Sequence, residues 1–209
     1  MSEPENPWRI LDSRTLHEDH WLRLRVDRCE TSWGAAVPAY HVIELPCWAN
    51  ICALTEAHEL ILIREYRHGV GQVLLGLPGG RVEAGESPLA GAQRELAEET
   101  GYGGGQWFAT QRMFSSPAMQ TNHGDCFLAI GAQPGADRNL DPAERIEIVP
   151  TPFAEVVEQI ARREIQMAAY DVASILAAAG VIMSLPDQKL RPLRRRLAAA
   201  WRAAYGLPK

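Results

Sequence analysis

The chain has 209 residues, 46% hydrophobic and 22% charged, with a net charge of −5. This is enough apolar material for a sizeable core, and nothing in the overall charge attracts nucleic acid or an anionic membrane. No run of eighteen apolar residues marks a membrane span, and "MSEPENPWRI" has no basic start leading into an apolar stretch, so a cytoplasmic location is expected. Cys29, Cys47, Cys52 and Cys126 show no CxxC spacing and read as small buried hydrophobes of a reducing compartment.

In chain order, "WLRLRVD" alternates Leu22, Leu24 and Val26 with Arg23, Arg25 and Asp27, the period of a half-buried strand. "ETSWGAAVP" supplies a turn and "AYHVIEL" a second strand, closed by Pro46. This hairpin precedes everything that looks catalytic and is expected to be a small unit that packs on another copy of the chain. "CWANICAL" and "ELILIREYR" flank the polar turn "TEAH" and predict another hairpin; "QVLLGLPGG" is a strand entering a Pro-Gly turn.

The period then changes. Ser87 is placed to cap a helix, Pro88 suits its first position, and Gly101 its end. Leu89, Ala92 and Leu96 form the predicted core-facing stripe. Strand-like runs resume at "WFATQRMF", "CFLAIGA" and "RIEIV"; then Thr151 and Pro152 open an amphipathic helix carrying Phe153, Val156, Val157 and Ile160. "YDVASILAAAG" predicts a further helix and the residues from Pro186 a last one, with Arg191, Arg194, Arg195, Arg196 and Arg202 as a basic helix end. This order is mixed α/β, without the regular alternation of a doubly wound sheet.

On the capped helix, Glu95, Glu98 and Glu99 stand at i, i+3 and i+4, so three like charges crowd one side. A bound cation is the obvious compensation. Oxygen-only donors suit Mg²⁺, or Mn²⁺, and such ions commonly bridge carboxylates to substrate phosphates. The chemistry suggested is attack of water on a diphosphate.

The whole stretch "GGRVEAGESPLAGAQRELAEETGY" resembles the signature of the Nudix hydrolases. Gly80, Glu86, Arg94, Glu95, Leu96, Glu98, Glu99, Gly101 and Tyr102 fill its fixed places, the last with an aromatic. The resemblance implies the Nudix α/β/α sandwich, with a mixed sheet and an N-terminal antiparallel strand unit. It further implies metal ligation by Glu95, Glu98 and Glu99 with the carbonyl of Gly79, while Arg94 and Glu86 support them. "YHVIELP", "LILIREYRHGVGQ", "LPGG" and "ERIEIV" look similar to the ADP-ribose pyrophosphatase branch, as does Pro117, fifteen residues after Tyr102. That branch forms homodimers through its N-terminal strands. Two departures stand out: Gly76 replaces a usual glutamate, and "SSPAMQTNHGD" carries Ala118 and Asn122 where a glycine and an acid are usual.

By the same resemblance Arg67, ahead of Arg64, holds the diphosphate, against the reading of two exposed strand-edge charges. Glu144, ahead of Asp141, is the candidate general base on a mobile loop, against plain surface charge; Glu98 is also a catalytic candidate. Trp33 and Trp21 stack a base or serve as core and dimer contacts. The expected organisation is a dimerising strand unit (1–45), a catalytic domain (46–185) and a basic helix (186–209). The expected reaction is Mg²⁺-dependent cleavage of ADP-ribose to AMP and ribose 5-phosphate. The alternatives are another diphosphate (a nucleotide sugar, a dinucleotide polyphosphate, a capped RNA end) or a sensor that binds without turnover.

Overall fold

The structure, a computed structural model, describes residues 7–206. The chain divides into two compact units. One comprises the residues up to Cys47 together with Phe114–His123. Strands β1 (Arg9–Glu18), β2 (Arg23–Glu30) and β3 (Ala36–Glu44) form an antiparallel sheet in that order. The segment around Met119 docks on β3: the Ile43 amide donates to the Met119 carbonyl at 2.7 Å, and Thr121 donates to the Ile43 carbonyl at 3.1 Å.

Two features of this unit depart from the sequence pattern. Strand β1 has no counterpart in the sequence pattern: every residue in it is exposed, so no buried apolar face marks it. On β2 the buried residues are Asp27 and Cys29 rather than Leu24 and Val26. Asp27 tolerates burial because Ser13 donates to it at 2.7 Å and Arg25 forms an ion pair with it.

The larger unit is built on a seven-stranded mixed sheet. Its strands are β4 (Trp48–Leu54), β5 (Glu59–Arg67), β6 (Gln72–Gly76), β7 (Gly79–Arg81), β9 (Gln106–Met113), β10 (Gly124–Ile130) and β12 (Glu147–Pro152). The main path runs β12-β5-β4-β10-β9, with β6 paired to β5 and β7 to β4. Only β4 and β10 are parallel. The two-residue strands β8 (Tyr102–Gly103) and β11 (Gln133–Pro134) pair separately.

The predicted hairpin of β4 and β5 is present only as one pair, Leu54 with Leu60. β7 pairs with β4 over Trp48–Asn50, and β10 runs parallel to it over Trp48–Leu54, while helices cover both faces of its continuous apolar run. Helix α1 (Pro88–Thr100) lies on one face, where Ala92 and Leu96 pack on Ile51, Ala53 and Ile61. Leu89, expected in that stripe, is 39% exposed. Helices α2 (Phe153–Ala161), α3 (Ala169–Ser184) and α4 (Arg191–Tyr205) cover the other face, around Leu54, Leu62, Phe153 and Ile175. A 3₁₀ turn at Gln188–Leu190 leads into α4. Arg191, Arg194 and Arg195 therefore stand at the start of α4, where the helix dipole disfavours cations; only Arg202 lies in its last turn.

One polar cluster is built into the core. The buried Asn50 amide of β4 donates to the Asp171 carboxylate at 2.9 Å and to the Ser174 hydroxyl at 3.2 Å. Burial raises the Asp171 carboxyl to about 6, against the Asn50 amide, the Leu77 N–H and the charge of Arg67. Its ordinary value, 3.8, returns on unfolding, so the folded chain is favoured most below pH 3.8 and loses that advantage as pH rises through about 6. Denaturant unfolding of wild type and Asp171→Asn across this range should show their stability difference shift by on the order of 3 kcal/mol in favour of the variant. A difference independent of pH contradicts the burial assigned to this carboxyl.

Candidate active site

The site begins with how α1 is held. The Ser87 hydroxyl accepts the Ala90 amide at 3.2 Å, Pro88 opens the helix, and Gly101 closes it with φ of 71°. Strand β4 lays Ala49 beside Gly80 and Asn50 beside Gly79, bringing the Pro-Gly turn against the helix. A Cβ at position 80 would stand 2.7 Å from the Glu95 carboxylate, so glycine makes room for the acid. The Gly79 amide donates to Glu99 Oε2 at 2.8 Å.

Arg94 is the centre of the acidic group. Its guanidinium reaches Glu86 (3.1 Å), Glu95 (2.8 Å) and Glu98 (3.0 Å), and donates to the Arg81 carbonyl at 2.9 Å. It holds the Glu86 carboxyl below its usual range, and the Glu83 N–H assists. Glu99 lies beyond this network. It is 6% exposed, and burial raises its carboxyl to about 8; Gly79 opposes that rise, while the charges of Glu95, Glu144 and Glu65 add to it. Glu95 is also raised, first by burial and despite Arg94.

The loop before β12 is laced to the end of α1. Arg138 donates to the Glu99 carbonyl at 2.9 Å and to the Ile146 carbonyl at 3.1 Å. The Asn139 amide donates to the Glu98 carbonyl at 3.0 Å. These contacts satisfy carbonyls that a helix end leaves open, and a cation there is favoured by the dipole. They also hold the loop so that the Glu144 charge is felt at Glu65, Glu95 and Glu99. Asp141 is exposed and turns its main chain to Glu144: its amide donates to Glu144 Oε2 at 3.1 Å.

The other candidates are dispersed. Arg64 pairs across strands with Glu147 at 2.8 Å. Arg67 contacts Glu65 at 2.9 Å and lines a cleft with Ile63, Gly76, Tyr170 and Asp171. Trp33, 69% exposed, and Pro117 belong to the other unit. Glu65, Arg138, Tyr170 and Asp171 were not singled out from sequence. Strand alternation could have found Glu65, since Ile63, Glu65 and Arg67 share a face and Arg64 does not. Arg138 had no local signal, because its partners are main-chain carbonyls distant in sequence.

Among the described residues no three His, Cys, Asp or Glu side chains are gathered as a ready metal cage. The donors nevertheless suit a hard divalent ion: all are oxygens, and Glu95 and Glu99 are partly desolvated beside like charges. Arg94 occupies two of the acids, so an ion would share Glu95 and Glu98 with it.

The NUDIX domain family matches residues 47–169, and residues 8–43 match the nucleoside diphosphate sugar hydrolase N-terminal domain. An ADP-ribose pyrophosphatase of Mycobacterium tuberculosis is 28% identical over 182 residues, covering 85% of this chain and 86% of the relative. A methanol dehydrogenase activator of Bacillus methanolicus is 25% identical over 170 residues, 81% of this chain and 89% of the relative. A crystal structure described as ADP compounds hydrolase shares the fold, with a TM-score of 0.73 at 23% identity, covering 84% of this chain and 94% of that one. The chain belongs to the Nudix family and is a Nudix hydrolase, acting on nucleoside diphosphate derivatives. Divalent metal ions are the general cofactors of that family.

Proposed function

We propose that the enzyme hydrolyses ADP-ribose to AMP and ribose 5-phosphate with Mg²⁺, Mn²⁺ being able to replace it. The observation that carries this reading is the acidic group on α1, with Glu99 buried against the Gly79 amide and Glu95 beside Gly80. Support for the substrate comes from the ADP-ribose pyrophosphatase similar over most of the chain and from the N-terminal match to nucleoside diphosphate sugar hydrolases.

Glu95, Glu98 and Glu99, with the Gly79 carbonyl, would hold the ion. When bound, it offsets charge on the diphosphate and makes water a stronger nucleophile. Arg94 and Glu86 keep the helix acids spaced. Arg67 binds diphosphate oxygens through its planar fork, while Arg64 is already engaged by Glu147. Glu144, on the loop tied down by Arg138, accepts the proton of the attacking water, and Asp141 shapes its turn. Glu99→Gln keeps the side-chain shape of a carboxyl that is already hard to ionise, so the fold should survive. Turnover of ADP-ribose, read as AMP and ribose 5-phosphate by chromatography, should fall by about three orders of magnitude or more. A near-normal rate removes Glu99 from the ligand set. Running sugar nucleotides, dinucleotide polyphosphates and capped RNA beside ADP-ribose tests the substrate: a better rate on another compound replaces ADP-ribose.

In this reading residues 1–45 serve dimerisation, 46–185 catalysis, and 186–209 are the basic C-terminal segment that carries α4. Trp8, Ile10, Leu11, Leu16, Trp21 and Trp33 are all exposed, a large apolar surface for so short a segment. A second copy of the chain covers it, and Trp33 and Pro117 belong to the substrate-binding surface the dimer completes. No helix among the described residues is long and apolar enough to cross a membrane. A small-molecule substrate met in the cytoplasm fits this picture better than nucleic acid. Sedimentation equilibrium should give twice the 23.1 kDa chain mass; a monomer across the micromolar range contradicts the assignment.

A further inference from the structure

We propose that Asp171, brought to the cleft wall by the absence of a side chain at Gly76, accepts hydroxyl groups of the sugar attached to the diphosphate and so selects sugar-linked substrates. This rests on the reaction proposed above and adds a residue from α3 that the signature helix does not supply.

The cleft has a volume of about 240 Å³ and is lined by Glu65, Arg67, Gly76, Tyr170 and Asp171. Whole small-molecule sites usually span roughly 300–1,000 Å³, so this space fits one part of a larger substrate. It adjoins the acidic group, because Glu65 lies near enough to Glu99 and Glu144 for their charges to act on one another. Arg67 gives it one cationic wall. The ring of Tyr170, held against Trp48 at 4.7 Å, gives it an aromatic one.

Asp171 is fixed from behind. Asn50 donates to Oδ1 at 2.9 Å, anchored in turn within buried β4. A Cβ at position 76 would lie 2.9 Å from Oδ2, so any larger residue there would push the carboxylate aside. An ionised carboxylate only accepts hydrogen bonds, and it repels phosphate. The cleft therefore sorts a substrate by chemistry: phosphate oxygens to Arg67, hydroxyls to Asp171. A hydroxyl that pairs with a desolvated carboxylate is discriminated strongly from a group that cannot.

Calorimetric titration of the whole protein with ribose 5-phosphate and, separately, inorganic phosphate tests the subsite without requiring turnover. Wild type should prefer ribose 5-phosphate by at least about tenfold, the size of a hydrogen bond to a charged group. Asp171→Asn and Gly76→Ala should each reduce the preference to about twofold or less; phosphate affinity should hold in Gly76→Ala and hold or rise in Asp171→Asn, which loses the charge that repels phosphate. Gly76→Ala keeps every charge and acts only by displacement, so agreement of the two variants excludes a simple charge effect. Absence of the preference in wild type, or its retention in either variant, overturns the proposal. A wild type that shows the preference yet leaves ADP-ribose intact overturns the assigned reaction and upholds the subsite.

Discussion

A single guanidinium organises the acidic face of α1. Three carboxylates at i, i+3 and i+4 would repel one another on an isolated helix, by about 0.2–0.5 kcal/mol per pair. Arg94 answers part of that repulsion by contacting Glu86, Glu95 and Glu98 together. It does not reach Glu99, which is buried and disfavours its own charge. The fold thus keeps one acid desolvated and leaves the group as a whole in need of positive charge. A hydrolase of diphosphates can use that imbalance, because the missing positive charge can arrive with a divalent metal ion.

The surrounding scaffold serves this arrangement. Strand β4 is buried on both faces, so it fixes the register of β7 and hence of Gly79 and Gly80 against the helix. Glycine at position 80 makes space for Glu95, and the Gly79 amide donates to Glu99. Arg138 joins the end of α1 to the loop that carries Glu144. From the far face of the sheet, Asn50 connects β4 to Asp171 at the cleft beside Arg67. One buried strand therefore places groups from two separate helices.

Much of this was legible in the sequence, for identifiable reasons. Ser87, Pro88 and Gly101 punctuate α1 locally, and the acids have a fixed spacing, so helix and acidic group could be read together. Leu89 was misplaced because a stripe gives periodicity but not where the covering sheet ends. The β4 hairpin is shorter than the pattern suggests because an apolar run does not name its partner, and a parallel neighbour 76 residues away leaves no local mark. Strand β1 was invisible because it buries nothing within one chain. Asp171 sits inside an apparently ordinary apolar helix; its meaning depends on Asn50 and Gly76, which lie 121 and 95 residues earlier.

The central claim is that α1 gathers acidic oxygens to bind a divalent ion. Titrating Mn²⁺ into chelator-treated protein, with the unbound ion followed by electron paramagnetic resonance, tests it most directly. Wild type should deplete the unbound signal saturably, and the Glu95→Gln, Glu99→Gln double variant should deplete it little. The same binding curve for both proteins would contradict the claim.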